Sequence, residues 1–140
     1  MVRTITSRFI PVQAHIKEQP QTFERFKALW TPTQLVLDAD GTERHRIEGF
    51  LPVDDFLAQL EVGLARLAFE HKEYADAEKG FRGVCERRPA AGVAAEACYW
   101  AGVSAYKATN GPEPLRATAK LLRERYPESE WTRKASVWAA

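Results

Sequence analysis

The feature that most constrains the fold is a repeat in the C-terminal half of the chain. The segment ERRPAAGVAAEACYW begins at Glu86, and ERYPESEWTRKASVW begins 38 residues later, at Glu124. Both segments carry Glu-Arg, a proline in fourth position and a final tryptophan. A fixed period in the thirties, combined with helical patterns, is typical of stacked helix pairs. Because one pair cannot bury its apolar face alone, we expect neighbouring pairs to pack together.

The helical pattern extends over residues 53–140. An amphipathic helix begins at Val53, where apolar residues recur every three or four positions and two aspartates occupy the first turn. Further helices are predicted over 74–87, 93–107, 114–126 and from 130 to the end. The sequence therefore predicts a helical array over 53–140, whose first helix is shared with the unit that precedes it.

Residues 1–52 have a different pattern. Alternating apolar residues predict a short strand over 8–16, in which Pro11 favours an edge strand or an early position in the strand. A helix is predicted over 20–30, a buried strand over 34–38 and a more polar edge strand over 42–48, joined by an Asp-Gly turn. The predicted class is α/β plus α, a βαββα unit followed by antiparallel helix pairs.

Composition excludes several classes of function. The chain has 20 basic and 19 acidic side chains, so no overall field favours nucleic acid or a membrane surface. No apolar run could span a bilayer and the N-terminus lacks a signal-peptide pattern, so we expect a cytoplasmic protein. His15, His45 and His71 are not at zinc-ligand spacing, and no phosphate-binding loop occurs, so we expect neither metal nor cofactor.

The helical half resembles the tetratricopeptide family. Ala77, Phe81, Val84 and Pro89 match the spacing of its second helix, and the matches continue at Leu64, Ala65, Gly102 and Pro127. RYPESEW is similar to a helix boundary in family members of bacterial envelope assembly, and Trp131 and Trp138 would lie on a capping helix. The resemblance implies a concave face that binds a peptide or protein client, lined by Arg66, Tyr99 and Tyr106.

Residues 9–60 resemble the C-terminal half of a thioredoxin. Thr31-Pro32 stands where that family keeps a cis-proline beside its active site, which implies that Trp30, Thr31 and Pro32 meet an extended peptide. The family's Cys-x-x-Cys motif is absent. We interpret Cys85 and Cys98, both within predicted helices, as buried packing residues. A disulfide between adjacent helices is the alternative.

The thioredoxin sheet has a further strand between those predicted at 9–15 and 34–38. Residues 2–6 (VRTIT), rich in β-branched side chains, could fill part of the gap. Otherwise the two strands could pair directly, or a homodimer could join two incomplete sheets, or Met1 is not the true start and the catalytic motif lies upstream.

Three functions follow from these patterns. The first is a non-catalytic interaction module, an adaptor or a holdase of the kind that bacterial thioredoxin–tetratricopeptide fusions of the chaperedoxin type provide. The second is the C-terminal part of a thiol-disulfide oxidoreductase whose active-site segment lies outside the chain. The third is a structural subunit that dimerises through its sheet and has no client.

Overall fold

The computed structural model describes residues 1–139, which form a small sheet and a helical majority. The strands are β1 (Thr33–Leu37) and β2 (Glu43–Glu48). The helices are α1 (Val2–Arg8), α2 (Pro20–Arg25), α3 (Val53–Glu70), α4 (Tyr74–Arg87), α5 (Ala94–Thr109), α6 (Glu113–Arg125) and α7 (Glu130–Ala135), followed by a 3₁₀ turn (Ser136–Trp138).

The two strands pair antiparallel, and one face of the sheet packs on α3. Thr33 lies opposite Glu48 and Val36 opposite His45, with a bulge after Val36. Val36 and Ile47 are buried against Leu60 of α3. This small core is completed by partly buried side chains from the segments on either side, Ile5, Phe9, Leu51 and Phe56.

The helices α3 to α6 pack each on its neighbour in the chain. Their main core consists of buried aliphatic residues around Phe81, which is 1% exposed. Gly102 allows α5 to approach α6, since a Cβ there would lie 2.7 Å from the Cβ of Thr118. Small residues therefore set the spacing of these helices, as expected for closely packed helical pairs.

A second core joins the two copies of the 38-residue repeat. Leu122 and Ala135 are fully buried there, and Tyr99, Trp131 and Trp138 pack around them. The rings of Tyr99 and Trp138 stack with 4.6 Å between their centroids. The Tyr126 hydroxyl donates a hydrogen bond to the carbonyl of Pro89, 2.8 Å away. Trp131 of α7 and Trp138 of the 3₁₀ turn thus cover the apolar residues of α5 and α6 in this core.

The interpretation of the cysteines as free packing residues was wrong. Cys85 on α4 and Cys98 on α5 form a disulfide, and their Cα atoms are 5.0 Å apart. Both residues are buried in the second core. The structure instead contains the alternative, a disulfide between adjacent helices. Sequence alone could not decide between them, because pairing depends on how the two helices face each other.

The predicted strand over 8–16 is also wrong. Residues 2–8 form the helix α1, and residues 9–15 have no regular secondary structure. Ile10 and Val12 are 93% and 88% exposed, so the alternating pattern does not bury a face. Pro11 has no N–H to donate to a ladder, and no described backbone group pairs with this segment as a strand would require. The suggestion that residues 2–6 fill a strand position is also wrong, because these residues lie within the helix α1.

The predicted helix over 20–30 is shorter than expected and ends at Arg25. Lys27 adopts a left-handed conformation with φ of 51°. The N–H of Ala28 bonds to the carbonyl of Phe23, and that of Lys27 to the carbonyl of Glu24, which is the Schellman arrangement of a helix end. The chain therefore leaves the helix early, and residues 26–32 form a loop. The predicted βαββα unit is in fact α-α-β-β-α.

The close approach at Gly102 generates a prediction about stability. Gly102→Ala should lower the free energy of unfolding by about 1–2 kcal/mol, because overpacking against Thr118 outweighs the gain in helix propensity. Urea denaturation measures the change. The matched control is Gly92→Ala, where the nearest atom to a new Cβ is 3.9 Å away. Equal effects of the two substitutions would show that α5 and α6 are not so closely packed.

Candidate functional site

The outer edge of β1 has no backbone partner among residues 1–139. The N–H of Gly49 donates to the carbonyl of Pro32 at 2.7 Å, which fixes the hydrogen-bonding phase of the ladder. Because this phase alternates along an antiparallel pair, Gln34 and Val36 bond to β2. The N–H and C=O groups of Thr33, Leu35 and Leu37 therefore point away from β2. They form a free edge that could pair with an extended chain.

The two edges of the sheet differ in chemistry. The strand β2, with the sequence ERHRIE, carries four charged side chains, whereas β1, TQLVL, carries none. Charged residues are a common means of preventing a sheet edge from pairing with another chain. The outer edge of β2 has this protection and the outer edge of β1 does not.

An apolar groove lies at the start of β1. Its volume is about 190 Å³, and it is lined by residues 16, 23 and 28–31 (Ile16, Phe23, Ala28, Leu29, Trp30 and Thr31). Leu29 is 83% and Trp30 69% exposed. The peptide bond between Thr31 and Pro32 is cis. The predicted site residues Trp30, Thr31 and Pro32 thus lie together, next to the free edge.

Four contacts hold the loop that carries the groove. The Schellman turn at Lys27 fixes its start, and the guanidinium of Arg46 on β2 donates to the carbonyl of Phe26. The hydroxyl of Thr33 donates to the carbonyl of Trp30 at 2.6 Å. Gly49 holds Pro32. The exposed indole and leucine side chains therefore project from a backbone that is fixed at both ends.

The other predicted site residues lie in the helical half and are not brought together. Arg66 forms an ion pair with Glu96 and lies over the Trp100 ring, 5.7 Å from its centroid. Tyr99 packs against the final tryptophans, and burial raises the pKa of its hydroxyl. Tyr106 is 37% exposed. Arg66 and Tyr99 thus have internal partners, and the structure places none of the three in the groove.

Sequence reasoning missed part of the groove wall, namely Ile16, Phe23 and Leu29. Ile16 falls within the predicted strand over 8–16, which does not form, and Phe23 falls within the predicted helix over 20–30. A signal for Leu29 was available, since Leu-Trp stands directly before Thr-Pro in a segment otherwise rich in polar residues.

A charged cluster joins the end of β1 to the end of α3. The carboxylate of Asp38 accepts hydrogen bonds from His71 at 2.6 Å and from Arg44 at 3.0 Å. These donors, His71 first, lower the pKa of Asp38 to about 2. The same hydrogen bond to Asp38 raises the pKa of His71. The cluster thus links the end of β1 to the end of α3 through Asp38, Arg44 and His71.

A partly buried histidine of the sheet makes a second contact with α3. His45 Nε2 lies 2.6 Å from the amide oxygen of Gln59 on α3. Burial lowers the pKa of His45, and the hydrogen bond to Gln59 acts in the opposite direction. This contact between His45 and Gln59 ties β2 to α3.

The comparisons with known proteins bear on the N-terminal half. Residues 2–63 match the thioredoxin-like domain family. The match covers less than half of the 140 residues and ends within α3. No curated protein and no solved structure matches the chain. The similarity to a thioredoxin-like domain thus lies in the part of the chain that contains the groove, the sheet and the first turns of α3.

Two negative findings concern the described residues only. Over residues 1–139, no group of three or more histidine, cysteine or acidic side chains is placed to hold a metal ion. In the same range, no helix combines the length and apolar character needed to cross a bilayer.

The Asp38–His71 link predicts a pH-dependent stability. Because folding raises the pKa of His71 above its ordinary value of 6.5, its contribution is full below that value and is lost as pH rises through the folded pKa. His71→Gln should therefore destabilise the protein more at about pH 5.5 than at about pH 8.5 in urea denaturation. His15→Gln is the control, since His15 contacts the backbone N–H of Lys17 rather than a carboxylate. An equal effect of His71→Gln at both pH values would contradict the link.

Proposed function

We propose that the protein is a non-catalytic binding module that takes an extended segment of another polypeptide along the free edge of β1. The observation that carries the proposal is this uncharged edge, which has backbone groups at Thr33, Leu35 and Leu37 free to pair. Addition of a strand to an exposed sheet edge is a common mode of peptide recognition, in which main-chain hydrogen bonds supply affinity.

The groove supports the proposal because it supplies a binding position for side chains of the same segment. It lies where β1 begins, so a strand paired with Thr33 would pass Trp30 and Leu29. A large exposed aromatic side chain in a fixed loop is a common anchor of an interface.

The charge of the N-terminal segment specifies the partner further. Residues 1–32 contain five basic and two acidic side chains, although the whole chain is close to neutral. An extended segment that alternates apolar and acidic residues would place its apolar side chains towards the groove. It would place its carboxylates near a positive surface, which favours encounter between the partners.

The helical half has a supporting role in this proposal. The spacing of Ala77, Phe81 and Val84, all buried, and the packing of successive helices support a tetratricopeptide type. In this proposal the whole chain acts as an adaptor or a holdase. The expected cytoplasmic setting remains a prediction, and the Cys85–Cys98 disulfide instead favours an oxidising compartment.

The proposal predicts that blocking the free edge abolishes binding. Leu35→Pro removes the outward N–H of Leu35 but no hydrogen bond to β2, as tolerated on edge strands. Leu35→Thr is the matched control, since it removes the same side chain and keeps the N–H. With a fluorescent Val-Glu-Val-Thr-Val-Glu-Val peptide as probe, the affinity of Leu35→Pro should fall about tenfold or more relative to Leu35→Thr, measured by anisotropy. Equal binding by the two variants would rule out strand addition.

A second copy of the chain could also occupy the free edge, and the same variants distinguish this case. Sedimentation equilibrium should show a monomer for the native chain and for both variants. A dimer that Leu35→Pro converts to a monomer would overturn the client proposal and show that the edge is a self-association surface.

A second candidate function rests on the thioredoxin-like match. The domain suggests relation to thiol-disulfide oxidoreductases. The two cysteines cannot supply this chemistry from the groove, because they are buried in a disulfide between α4 and α5. This candidate therefore requires a Cys-x-x-Cys motif from outside the 140 residues. The intact mass of the native protein tests it: a value near 15.8 kDa removes the candidate, and a clearly larger one favours it.

A further inference from the structure

We infer that the extended segment of the client polypeptide enters between β1 and residues 10–14, so that it pairs with main-chain groups on both of its sides. This inference rests on the proposed function and adds a second binding edge to it. Residues 10–14 lie between α1 and α2 and have no regular secondary structure. Ile10 and Val12 are 93% and 88% exposed. An apolar stretch of chain is thus left uncovered in the same N-terminal half that carries the free edge.

The backbone of residues 10–14 also lacks partners. Within residues 1–139, no backbone carbonyl accepts a hydrogen bond from the N–H groups of Ile10, Val12 or Ala14. Along an extended chain the N–H groups of alternate residues point to opposite sides, so these three point one way and those of residues 11 and 13 the other. Pro11 has no N–H, and a proline is tolerated where its side of the strand faces solvent. The side that carries Ile10, Val12 and Ala14 is therefore the one that can pair with a client.

Both ends of this segment are anchored at the sheet, on opposite faces. Phe9 packs on the small core between the sheet and α3. Ile16 lines the groove. The loop of the groove lies on the other face, because Arg46, next to the buried Ile47, donates to the carbonyl of Phe26 in that loop. Side chains of an extended chain alternate between faces, so residues 9 and 16 would also point to opposite faces in a strand. The anchors thus match a strand that runs beside the sheet.

The helices on either side of the segment stand away from the free edge. No Cα atom of α1 or α2 lies within 8 Å of a Cα atom of β1. Neighbouring strands are about 4.8 Å apart, so two strands on either side of a third are separated by about 10 Å. The distance of α1 and α2 from β1 is compatible with one inserted strand.

The second edge also specifies what the client presents towards the groove. In an extended segment, Ile10, Val12 and Ala14 share a face with Ile16, which is the groove face. The strand β1 presents Leu35 on that face, opposite Arg46. Side chains on the same face of adjacent strands contact each other. Apolar side chains of the client would therefore have apolar neighbours on both sides, and burial of the exposed Ile10 and Val12 would strengthen binding.

Amide hydrogen exchange of the full chain tests the second edge, with the Val-Glu-Val-Thr-Val-Glu-Val peptide as probe. The amides of Ile10, Val12 and Ala14 should exchange about tenfold or more slowly when the peptide is bound, whereas the amide of Gln13, which points away, should keep its rate. Protection of Leu35 without protection of Val12 would overturn this inference and leave the proposed function standing. Protection of neither Leu35 nor Val12 would overturn both.

Variants at exposed positions measure the contribution of the second edge. Val12→Pro removes an N–H that faces the client, and Val12→Thr removes the same side chain but keeps the N–H. The peptide affinity of Val12→Pro, measured by anisotropy, should be about fivefold below that of Val12→Thr. Gln13→Pro is the control for an added proline, since it removes an N–H on the solvent side, and it should bind like the native chain. Equal affinity of the two Val12 variants would overturn the inference. Tighter binding by Val12→Pro would also overturn it, because residues 10–14 would then compete with the client for β1.

Discussion

The structure depends on the packing of α3 against the two-stranded sheet. A two-stranded hairpin is at best marginally stable in water, so β1 and β2 need an apolar surface to bury Val36 and Ile47. The helix α3 supplies Leu60 on its sheet side, and Ala58 and Val62 in the core shared with α4 and α5. One helix thus belongs to both cores. Because the helical half holds α3 in place, the sheet can persist with a free edge.

This arrangement explains why the features on which the proposed binding depends are concentrated in the least regular part of the chain. The segment before β1 makes few core contacts, yet its loop is held by Arg46, Thr33 and Gly49 at the sheet. The exposed side chains of Leu29 and Trp30 therefore project from a fixed backbone. A fixed backbone reduces the conformational entropy that is lost when a partner binds. The charged strand β2 closes the other edge, so an incoming strand has only one side on which to pair.

The elements with strong periodicity could be predicted from sequence. The helix over 74–87 has the predicted bounds, and both observed strands lie within one residue of theirs. The prediction failed where an outcome depends on partners distant in sequence. A strand over 8–16 requires a second strand to pair with, which the alternation of apolar residues cannot reveal. The disulfide depends on the relative orientation of α4 and α5. The groove depends on the early helix end at Lys27, where a lysine takes a left-handed conformation that no pattern in the sequence predicts.

The central claim is that β1 receives a strand at its outer edge, and amide hydrogen exchange of β1 tests it most directly. The amides of Gln34 and Val36 bond to β2 and should be protected with or without the Val-Glu-Val-Thr-Val-Glu-Val peptide. The amides of Leu35 and Leu37 should exchange rapidly in the free protein and become protected when the peptide is added. Unchanged exchange at Leu35 and Leu37 in the presence of bound peptide would contradict the account.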